Sequence, residues 1–134
     1  MRKLKSVLLV DDDETTNFLN RFFVKQLDKN LQVNTSRNGQ EAIEFLETCS
    51  YKENFPCILI LDVSMPVMNG WEFLENYEKK FNDDFKKNIT IIVLAAVDDH
   101  DAARLVIKNP IITDMVQKPL SDVKLKALVK KHFS

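Results

Sequence analysis

The chain has 134 residues, of which 45% are hydrophobic and 29% are charged, an ordinary composition for one globular domain with a sizeable core, here expected over residues 1–134. Its formal net charge of -1 at pH 7 gives no electrostatic footprint for nucleic acid, so we expect no nucleic-acid partner. The opening apolar run, Val7 to Val10, is far too short for a signal peptide or a membrane span, which predicts a cytoplasmic protein without a membrane partner.

The first predicted strand is SVLLV, Ser6 to Val10, and three consecutive aspartates follow it directly. Like charges repel and burial of a carboxylate is costly, so a cation is expected near these acids. Apolar residues then recur at helical spacing, which predicts an amphipathic helix with one apolar face. The members of that face are Phe18, Leu19, Phe22, Phe23 and Leu27.

The same alternation of strand and helix continues along the chain. A weaker strand, LQVNTS, leads to the helix QEAIEFLET, and the near-continuous apolar runs CILIL and ITIIVLAA are typical of central strands covered on both faces. Further helices are predicted from Asn69 to Phe81, from Asp98 to Asn109 and from Ser121 to His132, with a short strand, DMVQ, before the last. The segment EKKFNDDFKKN is interpreted as a charged, solvated loop.

Five strand-helix units predict an α/β fold in which a doubly wound, five-stranded parallel sheet has helices on both faces. In such sheets, ligands bind beyond the carboxyl ends of the strands. The residues that follow the first, third and fifth strands are Asp11 to Asp13, Asp62 and Lys118. The fold therefore predicts a site that combines carboxylates with a lysine.

The aspartate triplet by itself allows several interpretations. Asp11 and Asp12 could form an acidic pair for a metal ion, or Asp11-x-Asp13-x-Thr15 could be a phosphohydrolase motif in which Asp11 attacks a phosphate. The triplet could also be a solvated strand end that caps the first helix, and we expect Asp13 to be that cap.

Three motifs taken together resemble a known family. VLLVDDDE, followed by ILDVSMPVMNG and then by QKPL near the end, is similar to the receiver domain of bacterial two-component response regulators, and the resemblance covers essentially the whole chain. It implies the flavodoxin-like or CheY-like (βα)5 fold with strand order 2-1-3-4-5. It also implies a phosphoprotein that carries an aspartyl phosphate and acts in phosphorelay signal transduction.

The resemblance assigns roles to individual residues. Asp62 matches the phosphoacceptor, and Asp11 and Asp12 match the acidic pair that holds Mg²⁺ together with Asp62 and the main-chain carbonyl of Ser64. Lys118 matches the lysine that binds the phosphoryl group, and the family places a cis peptide bond after it. Carboxylate and carbonyl oxygens are the ligands that Mg²⁺ prefers.

Two positions depart from the family pattern. The family normally has Thr or Ser at the end of the fourth strand, where this chain has Ala95, and an aromatic residue on the fifth strand, where it has Met115. The hydroxyl and the aromatic ring that relay phosphorylation are therefore both absent. Ser64 and Val97 match positions at which the family tunes dephosphorylation.

We therefore expect a stand-alone receiver with no output domain, phosphorylated on Asp62 by a sensor histidine kinase or a histidine phosphotransfer protein. We expect that it is not an enzyme. It is instead expected to be a stoichiometric phosphoacceptor that assists its own phosphorylation and dephosphorylation. Its downstream protein target is unknown, and the family's usual binding face is made by the fourth main helix, the fifth strand and the fifth main helix.

Two alternatives remain. The first is a phosphorylation-independent receiver that acts only as a protein-binding module. The second is a haloacid-dehalogenase-type phosphohydrolase, which needs a Ser or Thr at the end of a middle strand and further acids after a later one, neither of which this chain supplies.

Overall fold

The computed structural model describes residues 3–63, 69–96 and 99–133, except for the side chains of Asp101, Leu105 and Ile107. Five parallel strands form one sheet in the order β2-β1-β3-β4-β5, which confirms the predicted fold and strand order. The strands are β1 (Ser6–Val10), β2 (Gln32–Ser36), β3 (Cys57–Asp62), β4 (Ile89–Ala95) and β5 (Asp114–Gln117).

Helices connect the strands, and the described ones include the five predicted. None of the described helices is long and apolar enough to cross a membrane. Two short helices, α3 and α5, were not predicted. The helices are α1 (Glu14–Leu27), α2 (Gly39–Leu46), α3 (Tyr51–Asn54), α4 (Gly70–Lys80), α5 (Asp83–Lys86), α6 (His100–Lys108) and α7 (Asp122–Phe133).

The core lies in two layers, one on each face of the sheet. Every residue of β1 and β3 is buried, as expected for central strands whose two faces are both covered. Helices α2, α4 and α6 supply buried side chains to one layer, and α1 and α7 supply them to the other. The carboxyl ends of β1 and β3 therefore meet in the middle of one edge of the sheet.

The segment EKKFNDDFKKN is not simply a solvated loop, and the prediction was wrong on this point. It contains α5, and the rings of Phe81 and Phe85 stack with their centroids 4.4 Å apart. Phe85 also packs edge-on against the buried ring of Phe55 at 5.0 Å. The apolar contacts of these two aromatic residues favour a folded segment, although most of the residues around them are charged.

The apolar face predicted for α1 is divided between core and solvent. Phe23 and Leu27 pack against the core, whereas Phe18, Leu19 and Phe22 are exposed. The stripe that α1 buries instead consists of Asn17, Asn20 and Val24. Both stripes have helical spacing, and the apolar pattern alone did not show that the fully buried stripe contains two asparagines.

Gly70, the first residue of α4, lies against the chain that leaves β3. A Cβ atom at this position would lie 2.5 Å from the Cα of Val63, and the Gly70 amide donates a hydrogen bond of 3.0 Å to the Val63 carbonyl. No described glycine has a positive φ angle, so Gly70 is not required for a special backbone angle. Gly70 is needed because two backbones approach closely.

We predict that Gly70→Ala lowers the free energy of unfolding by about 1–3 kcal/mol, because the added methyl group forces backbone apart next to the end of β3. Gly39→Ala is the matched control, since Gly39 also begins a helix and is also buried, so it reports the general effect of alanine at a buried helix start. Urea denaturation measures the free energy of unfolding of both variants and of the wild type. Equal stability of the two variants would contradict the close approach at Gly70.

Candidate functional site

The pairing of β1 with β3 brings two acidic residues together at the carboxyl edge of the sheet. Val10 is paired with Leu61, so the residues that follow them, Asp11 and Asp62, lie side by side. Both are almost fully buried, with exposed fractions of 6% and 3%. Asp12 is exposed, and carboxylate oxygens of the three aspartates all lie within 4.8 Å of one another.

Asp11 is held in place by its own main chain and by a side chain that the sequence analysis missed. Its carboxylate accepts a hydrogen bond of 3.0 Å from the Asp13 amide, and its amide donates to the Ser36 carbonyl on β2. The buried Asn17 donates a hydrogen bond of 2.9 Å from Nδ2 to the Asp11 carbonyl. The sequence feature that could have identified Asn17 is its helical spacing with Asn20 and Val24.

Asp13 is not part of the acidic cluster but caps α1, as predicted. One of its carboxylate oxygens accepts a hydrogen bond of 3.0 Å from the Thr15 amide, and the other accepts one of 2.8 Å from the Thr16 hydroxyl. Both contacts are those of an N-cap residue. The triplet therefore divides into two site residues, Asp11 and Asp12, and one structural residue.

Lys118 supplies the positive charge of the site from the end of β5. Its Nζ lies 2.8 Å from Oδ1 of Asp62, and its amide donates a hydrogen bond of 2.9 Å to the Ala95 carbonyl on β4. The Lys118-Pro119 peptide bond is cis, as the resemblance implied. Lys118 is about one-third exposed, so its ammonium group can reach both the buried carboxylate and a bound ligand.

The surroundings of the Asp11 side chain disfavour its charged, deprotonated form. Burial, together with the carboxylates of Asp62 and Asp12, raises the pKa of Asp11 to about 6, although the Asp13 amide and Lys118 act in the opposite direction. Among the residues that the structure describes, the three carboxylates are accompanied by the ammonium group of Lys118. This excess of negative charge is a physical reason for the site to bind a cation.

The donor set fits Mg²⁺. The three clustered carboxylates line a pocket of about 290 Å³. The pocket is also lined by the helix cap Asp13 and by Thr16, Leu94, Lys118, Pro119 and Leu120. Mg²⁺ prefers oxygen ligands and keeps several waters, and an open, acidic pocket suits both requirements. The other two residues implied for the site, Ser64 and Val97, lie outside the described residues.

The two atypical positions, Ala95 and Met115, lie in the core beside the site. Ala95 is buried at the end of β4, in the same core layer as Val93, and Met115 packs against that layer from β5. Leu94, on the opposite face of β4, is paired with Asp62 and lines the pocket. A hydroxyl group and an aromatic ring are therefore absent on the same face of the adjacent strands β4 and β5, at positions two residues apart in register.

Comparison with known sequences identifies the relatives of this chain. A family model described as the response regulator receiver domain matches residues 7–130. The probable C4-dicarboxylate response regulator DctR of Bacillus subtilis is 28% identical over 131 residues, which cover 98% of this chain and 53% of that protein. The chain thus spans about half the length of this relative.

Comparison with solved structures gives the same result. A two-component response regulator from Cytophaga hutchinsonii has a TM-score of 0.83 and 29% sequence identity, with 97% of each chain covered. The chemotaxis response regulator CheY4 of Vibrio cholerae has a TM-score of 0.75 at 22% identity, with 96% of this chain and 98% of that chain covered. At that identity, CheY4 shows a shared fold and no more.

The raised pKa of Asp11 predicts how stability without metal depends on pH. Because the folded state holds the proton up to about pH 6 and the unfolded chain loses it near 3.8, stability falls as the pH rises through this interval. Asp11→Asn removes the charge and should stabilise the metal-free protein at pH 7 by about 1–3 kcal/mol, since one pKa unit corresponds to about 1.4 kcal/mol.

Urea denaturation in metal-free buffer, between about pH 4 and pH 8, measures this dependence. Asp13→Asn is the matched control, because it removes the same charge from an exposed cap and Asn caps a helix equally well. The two variants should differ at pH 7 and converge at acid pH. An Asp11→Asn protein no more stable than wild type at pH 7 would contradict the burial cost assigned to Asp11.

Proposed function

Because the chain belongs to the response regulator receiver domain family, we propose that it accepts a phosphoryl group on Asp62 from a sensor histidine kinase or a histidine phosphotransfer protein. The observation that carries this proposal is the position of Asp62. Its buried carboxylate ends β3 beside Asp11 and Asp12 and has the Lys118 ammonium group at 2.8 Å. A nucleophile, an anion-binding lysine and a cation-binding acidic pair thus share one pocket.

The reaction is a transfer of the phosphoryl group from nitrogen to oxygen. A carboxylate oxygen of Asp62 attacks phosphorus, the bond between phosphorus and the donor imidazole breaks, and the electron pair of that bond returns to the imidazole nitrogen. The product is an aspartyl phosphate. Lys118, already at the carboxylate, is placed to pair with phosphoryl oxygens and so favours the charged product.

Asp11 and Asp12, with Asp62, are the residues that would hold Mg²⁺. The bound ion supplies charge neutralisation between the carboxylates and the incoming phosphoryl group. The protein's own part is to fix the position of Asp11 through the Asp13 amide and the Asn17 side chain. These bonds keep the acidic pair in place despite the repulsion of its charges.

In this proposal the protein acts as a stoichiometric phosphoacceptor in the cytoplasm, not as an enzyme with a separate substrate. It promotes its own phosphorylation and dephosphorylation. Such a receiver would pass its signal to a protein target or to the next protein of a phosphorelay. The family's usual face for this purpose corresponds to α6, β5 and α7.

A second candidate function is supported by Ala95 and Met115. A receiver that lacks both the hydroxyl and the ring could bind its partner without regulation by phosphate, although Asp62 and Lys118 remain in place. The phosphohydrolase alternative has no comparable support. Asp13 is engaged as a helix cap, and β4 ends at Ala95, where that mechanism needs a hydroxyl.

We predict that Asp62→Asn abolishes phosphoryl transfer from a histidine kinase, because the amide keeps the size of the side chain but is not a nucleophile. Transfer of radiolabelled phosphate in the presence of Mg²⁺ measures this. Asp13→Asn is the matched control and should be labelled like wild type, since Asp13 is outside the acidic cluster. Full labelling of Asp62→Asn would place the phosphoacceptor elsewhere.

Substitution at Ala95 should distinguish the two candidate functions. A hydrogen bond to a charged group contributes roughly 1.5–3 kcal/mol, or about tenfold to a hundredfold in a conformational equilibrium. Ala95→Thr should therefore enlarge the response to the phosphoryl mimic beryllofluoride. Ala95→Val should not enlarge this response, because valine has the shape of threonine but lacks the hydroxyl group.

Amide chemical shifts across residues 99–118, recorded with and without beryllofluoride, measure the size of this response. Thermal denaturation of the two variants controls for the cost of adding atoms at a buried position. A full, long-range response in wild type that Ala95→Thr does not increase would show that this receiver switches without the hydroxyl.

A further inference from the structure

Four of the five large hydrophobic side chains that are exposed in the described part of the chain lie on α1 or α7. Phe18 is one of these four, but it lines a pocket with Thr35 and Arg37, on the flank of α1 that faces β2 and α2. The other three are Leu19, Phe22 and Val123, and together with the surface between the two helices they are called the α1-α7 face. Val123 at the start of α7 is the most exposed of them, at 73%. Exposed apolar side chains of this kind are typical of a protein-protein interface.

The α1-α7 face also contains a groove. It has a volume of about 480 Å³ and lies between the two helices. Its walls are Phe23, Gln26 and Leu27 from α1 and Asp122, Val123 and Lys126 from α7. The face therefore carries projecting apolar side chains and a hollow next to each other, which is what a surface needs in order to pack against itself.

The charges on this face are arranged symmetrically about Val123. Asp122 and Lys126 are four residues apart on α7, so they are separated by about 6 Å along the helix axis, and Val123 lies within about 2 Å of their midpoint along that axis. Neither side chain forms an ion pair within the described part of the chain; Asp122 accepts a hydrogen bond only from the Val123 amide. One carboxylate and one ammonium group are thus available in the groove.

We propose that the α1-α7 face binds a second copy of this chain in a twofold-symmetric dimer. Two copies of α7 related by a twofold axis perpendicular to them run antiparallel. An axis that passes close to Val123 brings the two valines together, and it places Asp122 of each copy opposite Lys126 of the other. The groove and the exposed side chains of Leu19 and Phe22 flank this centre on both sides.

Charge complementarity is the reason for choosing a second copy as the occupant. A twofold interface requires each patch to complement itself, and a patch with opposite charges on either side of an apolar centre meets that requirement. A chain with a formal net charge of -1 also repels its own copy only weakly.

Sedimentation equilibrium of the full chain, from about 10 μM to about 1 mM, tests the proposal. Wild type should show a concentration-dependent dimer. Asp122→Lys and Lys126→Asp should each weaken dimerisation by about tenfold or more, because by symmetry each change creates two like-charge contacts. The double variant, which carries both changes, should recover most of the affinity.

Recovery in the double variant excludes damage to the fold as the cause of weaker dimerisation in either single variant. Lys52→Asp is the matched control, because it makes the same charge change at an exposed position away from the face, and it should dimerise like wild type. No recovery in the double variant, or equal loss in Lys52→Asp, would overturn the proposed pairing of Asp122 with Lys126.

Cysteine cross-linking provides a second test that does not depend on charge. In a Cys49→Ser background, Val123→Cys should form an intermolecular disulfide under mild oxidation, because the two copies of residue 123 meet at the twofold axis. Lys52→Cys should not. If wild type stays monomeric up to about 1 mM, and substitutions on this face instead weaken binding of a phosphodonor protein, the face serves another partner and the proposal is wrong.

Discussion

The structure depends on the confinement of three carboxylates to one edge of the sheet. Strand order brings Asp11 and Asp62 together, because β1 and β3 are adjacent although their sequences are far apart. Their burial and mutual repulsion raise the pKa of Asp11 and leave the cluster short of positive charge. The surrounding contacts, from the Asp13 amide, Asn17 and Lys118, hold the acids in an arrangement whose excess negative charge a cation would neutralise.

In the proposed function, the chemistry of the site and the transmission of its signal rest on different residues. Asp62, the acidic pair and Lys118 lie at the pocket, whereas Ala95 and Met115 lie in the core layer behind it. Within the described residues, the two regions are joined by the hydrogen bond from the Lys118 amide to the Ala95 carbonyl. The absence of the hydroxyl and the ring would therefore change the response to the proposed phosphorylation without removing any residue that the proposed transfer needs.

Much of the fold and of the site could be predicted from the sequence, and the errors have physical reasons. Continuous apolar runs located the central strands, and the acids and the lysine that follow them located the pocket. For α1, both of its stripes have helical spacing, and hydrophobicity favoured the one that is mostly exposed. The buried stripe contains Asn17, which is polar because its amide holds the Asp11 main chain. Helix α5 was missed because its four residues are mostly charged, although Phe85 packs inward.

The central claim is that this acidic cluster makes Asp62 a phosphoacceptor once a cation is present. Intact mass spectrometry after incubation with acetyl phosphate, with Mg²⁺ and with a chelator, tests it most directly. The account predicts the added mass of one phosphoryl group per chain in Mg²⁺, and no addition in the chelator. A mass that stays unchanged in Mg²⁺, for a protein shown to be folded, would contradict it.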